Sequence, residues 1–445
     1  MAEIPQDQPQ QPGIRFGPRF LKLIMVEGVS KGNVLTLLFG SFFGIAMMSF
    51  INASQPYIFT EILKIPTAEQ GQLAGDMTFY QELVIIAVIG LIGALSDKIG
   101  RKPIWVGAFL IIGLGYFLYP LADSVDTLIW YRMLFAVGFA MNVTMLPAVA
   151  NDYPMEPSRA KTLAICFFLN GLGFIFVLTP LRFLLPLYTE IAPDAIWAGR
   201  YWLWSASSIA LIVSTGLAIG LKSGAPEQLT KRDSFLATLS IGISAAKRPR
   251  VSLAYLAAIV SRGDLAVLST FFVLWLTQAG IAEGMTTAEA SGQAIKFYIL
   301  IQMFALVWLG CLVFILDKID RVVSLAIAMV LAGIGYGSLY FITDPFGPQM
   351  YAAAALVGMG EMSANISALT LIGSEAPVKG RGAVIGMFSL FGAVGILCTA
   401  KFGGWLFSNW LPVGPFVLVA GANAVVFVLA IGMLFVFPKN KATAA

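Results

Sequence analysis

Twelve long apolar stretches, separated by short polar ones, restrict this chain more than any other feature it has. Their approximate limits are 33–60, 77–96, 104–122, 127–150, 161–187, 196–221, 251–279, 293–316, 322–342, 348–372, 382–407 and 412–437. Each is about long enough to cross a hydrocarbon core of ~30 Å as a helix. Backbone N–H and C=O groups find no water there, so each span must satisfy them internally. The chain of 445 residues is 58% hydrophobic and 12% charged, about half the charge of an ordinary soluble domain. The fold class that follows is an all-α polytopic membrane protein with twelve transmembrane helices. The first thirty residues are polar and carry Pro5, Pro12 and Pro18; they read as a tail rather than a cleavable leader. Within them, Gly17–Val29 is expected to form a short interfacial helix, with Phe20, Leu21, Ile24 and Met25 against lipid headgroups.

Lys and Arg set the orientation. Most of the 28 basic residues fall in the tails, in the 222–250 segment, and in alternate turns around Lys98, Arg159, Lys318 and Lys379. The intervening loops show Glu61, Asp76, Asp123, Asp126 and Asp344, with only Lys64, Arg200 and Lys296 as bases. Positive loops stay inside, so both termini are expected in the cytoplasm, with a bacterial inner membrane as the host bilayer. The organisation is then a tail over 1–31, a six-helix bundle over 32–221, a cytoplasmic linker over 222–250, a second six-helix bundle over 251–437, and a tail over 438–445. In the linker, Phe235, Leu236, Leu239 and Ile243 recur at helical spacing. That pattern suits an amphipathic helix on the inner surface, and a solvated tether is the alternative.

Several function classes drop out. The chain has no histidine, which removes a Ser-His-Asp triad and histidine metal sites. No phosphate-binding G-x-x-x-x-G-K-[ST] loop occurs, so nothing points to ATP-driven action. Cys166, Cys311 and Cys398 sit apart in apolar runs and read as packing residues. No enzyme activity, cofactor, metal or nucleic-acid partner is expected, and nothing in the sequence calls for more than a monomer.

Between the second and third spans lies Gly93-Ala-Leu-Ser-Asp97-Lys-Ile-Gly100-Arg101-Lys-Pro. So few residues between two spans demand a tight hairpin, and small residues there let helix ends approach closely. Part of the stretch returns 220 residues later as Leu316-Asp317-Lys318-Ile319-Asp320-Arg321, and Arg159 and Gly173 return as Arg381 and Gly395. The chain is therefore a tandem repeat of six-span units. The hairpin resembles the loop between helices 2 and 3 of the major facilitator superfamily, roughly G-x-L-x-D-R/K-x-G-R-R/K. Gly93, Asp97, Gly100 and Arg101 match it, and Asp317 and Arg321 hold the corresponding places in the second copy, where Asp320 replaces the glycine and suggests a looser turn. The resemblance implies two pseudo-symmetric six-helix bundles around a central cavity, with spans 1, 4, 7 and 10 facing it. It also implies alternating access, with Asp97 near Lys379 and Arg381 when the inner side closes.

Charged residues inside spans are expensive and need a reason. Here they are Glu82, Arg132, Arg262, Asp264, Glu361 and Lys401, with Arg182 near the outer end of span 5, where it can snorkel. Arg132-Met-Leu-Phe-Ala-Val-Gly-Phe-Ala also resembles the superfamily's span-4 pattern, whose arginine is associated with proton coupling. A structural tie from Arg132 to Asp126 or Glu82 is an equal alternative. Asn52, Asn142 and Asn365 lie in spans 1, 4 and 10, as cavity contacts or as interhelical glue. Arg262 and Glu361 lie at similar depth and are expected to pair. Asp264, turned away by about 200° on a regular helix, is expected to find Lys401 or another neighbour. The resulting expectation is a secondary transporter of a small polar or anionic organic solute, a proton symporter, with sodium as the alternative ion. A proton-antiport exporter, or a sensor or lipid-handling protein of the same fold, are the other readings.

Overall fold

The structure, a computed structural model, describes residues 12–17, 23–224, 235–316, 318–377 and 380–436. Asp317, Lys379 and the side chains of Phe235, Leu236 and Leu239 lie outside that description. Two short strands come first, β1 (Pro12–Phe16) and β2 (Leu23–Val26). The first bundle follows: α1 (Lys31–Tyr57), α2 (Thr67–Ile99), α3 (Arg101–Leu118), α4 (Val125–Asp152), α5 (Glu156–Ile191) and α6 (Ala195–Gly220). A short helix, α7 (Phe235–Ala245), joins it to α8 (Pro249–Ala282), α9 (Thr287–Leu316), α10 (Arg321–Ser338), α11 (Pro348–Glu375), α12 (Arg381–Asn409) and α13 (Gly414–Val436). Apart from α7, all twelve are long and apolar enough to cross a membrane.

The two bundles repeat one packing scheme. Within the first, α1 packs on α5 and α6, and α3 on α4 and α6; within the second, α8 packs on α12 and α13, and α10 on α11 and α13. The repeated glycines show why the sequence echo matters. A Cβ on Gly173 would fall 1.5 Å from the Phe42 carbonyl oxygen of α1, and one on Gly395 would fall 2.0 Å from the Ile259 carbonyl oxygen of α8. Each lets two helix backbones touch where lipid offers no hydrophobic push and packing must hold the pair. Between bundles, α2 lies against α12 and α5 against α9.

The face carrying the strands, the α2–α3 turn and α7 is termed here the terminal face, and the other the distal face. Helix α2 starts at Thr67, ten residues before its apolar run, and there the Gln70 and Asp76 side chains and the Gln72 backbone N–H meet groups of the other bundle. Lys296 and Arg200 likewise fall within α9 and α6, not in loops.

Of the interfacial helix expected over Gly17–Val29, Leu23–Val26 is strand instead, and Phe20 and Leu21 lie outside the described residues. Val26 N–H donates to the Tyr153 carbonyl at 3.0 Å, and Met155 N–H to the Ile24 carbonyl at 2.9 Å. Strand β2 thus runs between β1 and the α4–α5 turn, with Leu23 and Met25 buried beneath it. The alternating apolar pattern Leu23, Met25 has the period of a strand, and the docking surface decides for it over a helix. Helix α7 is docked as well: Tyr255 Oη donates to the Gly242 carbonyl at 3.0 Å, and Gly242 sits against Met387 and Ala383 of α12.

Candidate functional site

The bundles are joined on the distal side by a row of polar contacts. Lys401 Nζ meets Asp76 at 2.6 Å, Gln72 N–H donates to Ser408 Oγ at 2.9 Å, and Gln278 Nε2 donates to Gln70 Oε1 at 3.1 Å. Thr78 and Thr270 hydroxyls pair at 2.9 Å, nearer the middle. Gly75 makes this seam close, since a Cβ there would lie 2.3 Å from the Ala400 carbonyl oxygen. Lys401 is therefore the partner of Asp76 across the seam, not of Asp264.

One helical turn beyond Thr78 toward the terminal face stands Glu82, buried. Arg262, half-buried on α8, is within Coulombic reach of it from the other bundle. The expected Arg262–Glu361 pair is not formed: among the described residues Arg262 has no ion pair, and Glu361 instead accepts from Gln302 Nε2 of α9 at 3.4 Å. Arg262 runs beside Gly392 of α12, which carries it toward α2 and away from α11. Asn365, one turn along α11 from Glu361, is half-buried and makes no hydrogen bond among the described residues. Glu82, Arg262, Glu361, Gln302 and Asn365 are thus the midplane groups with chemistry to spare.

Asp264, Asn142 and Arg132 have structural partners. Asp264 is fully buried and accepts from Asn423 Nδ2 of α13 at 2.9 and 3.0 Å, while Tyr336 Oη donates to its backbone carbonyl at 3.1 Å. Asn423 and Tyr336 were not singled out from the sequence; Asn423 was visible only as an amide alone in the last apolar span. Asn142 accepts from Trp105 Nε1 at 2.8 Å and donates to Met48 Sδ at 3.3 Å, the glue reading. Such intramembrane hydrogen bonds are worth about 0.6–2 kcal/mol each. Arg132 is tied to neither Asp126, which is exposed, nor Glu82: its Nη2 donates to Asn52 Oδ1.

At the terminal face, α2 gives way to α3 in a single residue. Gly100 adopts φ 95°, ψ 164°, a region that costs other residues dearly. Arg101 then turns back onto Asp97 at 2.7 Å and reaches Asp152 at the end of α4 at 2.9 Å. Gly93 adds its carbonyl, which accepts from Ser96 Oγ at 2.8 Å. The described residues of the second copy carry a further cation. Asp320 caps α10 through Val322 N–H at 2.8 Å, and Arg250 of α8 approaches Asp320 at 3.6 Å and Glu375 at 3.4 Å. The substituted aspartate thus makes a capped, charge-paired corner rather than a loose one. Arg321 opens α10, and Arg381 Nη2 donates to the Gly373 carbonyl at 3.1 Å.

Two bundles of six helices, a polar midplane between them and a charged hairpin at the foot of each define a polytopic membrane protein of the transporter type. The sequence profile of the Major Facilitator Superfamily matches residues 37–315 and 297–445, and the chain belongs to that family of transporters. It is 26% identical over 416 residues to the magnetosome protein MamH of Paramagnetospirillum magneticum, covering 91% of this chain and 93% of that one. It is 24% identical to the magnetosome protein MamZ of the same organism, over 87% of this chain and 61% of that longer relative. Among solved structures it is similar in fold to the nucleoside transporter NupG, with TM-score 0.71 and 13% identity over 90% of this chain and 98% of that one.

Proposed function

We propose that the protein moves a small polar or anionic organic solute across the membrane by alternating access, as a proton symporter in which Glu361 carries the proton. The observation that carries this reading is the placement of Glu82 and Arg262 on opposite bundles, directly beneath the distal seam. With the terminal face assigned to the cytoplasm by the Lys/Arg bias, the closed distal seam corresponds to an inward-facing state. Arg262, held by no ion pair, offers a planar cation to an anionic group of the solute. Glu361 is buried with an amide beside it and, among the described residues, no cation in contact, so gaining or losing a proton changes the charge of the midplane. The test is transport into proteoliposomes under an imposed pH gradient, with a panel of small organic anions and polar solutes. Glu361→Gln is expected to abolish gradient-driven accumulation while keeping solute exchange. Accumulation that survives in Glu361→Gln would move the coupling site elsewhere.

A second reading concerns place. The likeness to two magnetosome proteins favours residence in a magnetosome membrane over the general inner membrane. Fractionation of a tagged copy in a magnetosome-forming host separates the two, and signal confined to the inner-membrane fraction counts against it.

A further inference from the structure

The seam between α2 and α12 leaves a groove on the surface that faces lipid. The two backbones touch at glycines: a Cβ on Gly404 would fall 3.0 Å from the Gly71 carbonyl oxygen, as one on Gly75 would meet Ala400. Side chains flanking such a contact splay apart. The groove they leave has a volume of about 400 Å³ and is lined by Gln72 of α2 and by Lys401, Phe402 and Trp405 of α12. Phe402 and Trp405 are 62% and 54% exposed, on a helix that is long and apolar enough to cross the membrane, so what fills the groove is bilayer. Three of the four lining side chains carry N–H donors, and no carboxylate lines it. Lys401 gives Asp76 one of its three N–H groups and stays 47% exposed. Among the described residues, neither Trp405 Nε1 nor the Gln72 side-chain amide makes a hydrogen bond. Lys401 and Trp405 stand one turn apart on the same face of α12. With 29 residues, α12 is about 43 Å long and overruns a ~30 Å core by about 6 Å at each end. Trp405, four residues from Asn409, therefore stands at the hydrocarbon boundary, with Lys401 one turn inside and within snorkelling reach of it. Gln72, five residues past the start of α2, lies at a similar level.

A donor-rich groove at headgroup level suits a group that only accepts hydrogen bonds and carries negative charge. We propose that the groove binds an acidic phospholipid of the leaflet at the distal face. Its phosphodiester accepts from Lys401 Nζ, Trp405 Nε1 and the Gln72 amide, while an acyl chain runs along Phe402. An acidic headgroup is favoured over a zwitterionic one because no carboxylate lines the groove to take a headgroup ammonium. Gln72 belongs to the first bundle, and Lys401 and Trp405 to the second, so the phosphate bridges the seam and favours the distal-closed form. That consequence rests on the alternating-access reading. Occupancy of the groove is measured without transport and stands apart from it.

The experiment uses the full chain in phosphatidylcholine nanodiscs doped with phosphatidylglycerol that carries a photoactivatable group near its headgroup, and mass spectrometry locates the crosslinked peptides. Crosslinks are expected on residues 402–409 of α12. Excess unlabelled phosphatidylglycerol should weaken them, whereas the same fraction of phosphatidylethanolamine, or sodium glycerol 3-phosphate in the buffer, should not. Trp405→Phe combined with Gln72→Leu leaves the Asp76–Lys401 pair in place. It should raise the phosphatidylglycerol fraction needed for half-maximal crosslinking there about tenfold, with crosslinks elsewhere on the chain unchanged. Lys401→Gln should abolish the preference for phosphatidylglycerol over phosphatidylethanolamine. Double electron–electron resonance between labels on α2 and α12 should shift toward the closed form as phosphatidylglycerol replaces phosphatidylcholine, and should not shift in the double variant. The lipid site is overturned if crosslinks spread evenly over the lipid-facing helices, if phosphatidylethanolamine or glycerol 3-phosphate competes as well as phosphatidylglycerol, or if the double variant crosslinks like the parent. Crosslinking at the groove with no shift in the label distances overturns the bridging role.

Discussion

Single residues carry this fold where helix ends or helix faces meet. Gly100 is the clearest case, because its φ of 95° lets α2 stop and α3 start without an intervening loop. Gly100→Ala is expected to lower stability by roughly 1–3 kcal/mol, read as a drop in Tm of the purified protein; an unchanged Tm would mean that the turn relaxes freely. Charge at the same corner works through geometry. Arg101 is shared between Asp97 and Asp152, so one guanidinium fixes the ends of three helices at once. In the second bundle Arg250 of α8 brings a cation to Asp320 and Glu375.

At the scale of elements, the contact between α2 and α12 has both a hard and a soft component. The glycines allow backbone contact, which either exists or does not. The Asp76–Lys401 pair is adjustable, with the two side chains 23% and 47% exposed. A pair this exposed contributes about 0.2–1 kcal/mol. Lys401→Ala should therefore move the balance between distal-closed and distal-open forms only up to about fivefold, as measured by double electron–electron resonance between labels on α2 and α12. The swap Asp76→Lys with Lys401→Asp should restore the original distribution. A swap that behaves like the single variant would reduce the pair to a bystander. Strand β2 makes a different kind of join: its two edges bind β1 and the α4–α5 turn, and Met25 is fully buried. Met25→Ala should cost about 2–5 kcal/mol and expose the N-terminal segment to protease before the bundles unfold. Proteolysis and Tm both unchanged would show that the strand adds nothing to the first bundle.

For the molecule as a whole, the Lys/Arg distribution gives an orientation that labelling can check. On a background without the native cysteines, Ala225→Cys and Asn440→Cys should react with an impermeant maleimide only from the cytoplasmic side, and Ser124→Cys only from the other side. Reaction of Ala225→Cys from outside would overturn the assignment of the terminal face. The same experiment orients the seam, since Ser124 lies on the distal face with Asp76 and Lys401. If the labels fall as expected, the closed seam faces away from the cytoplasm.

What the sequence determined by itself was everything that depends on solvent. Apolar runs of sufficient length must be helices in lipid, so the twelve spans, the two repeats and the family were legible from hydropathy, Gly93–Pro103 and its echo. The limits of the helices were less so, because α2 continues through Gln70 and Asp76, residues that look like loop until groups of the other bundle pair with them. Tertiary structure alone decided which partner each buried polar residue takes. Arg262 and Glu361 share a depth, yet depth says nothing of rotation, and the packing of α8 on α12 turns Arg262 toward Glu82. Asp264 found an amide on α13, and Arg132 found Asn52, because hydrogen bonds act over a few ångströms while sequence spacing fixes position only along one helix. The N-terminal segment went the same way: its alternating apolar residues suit either a lipid surface or a sheet, and the second edge that β2 binds comes from the α4–α5 turn, more than a hundred residues on.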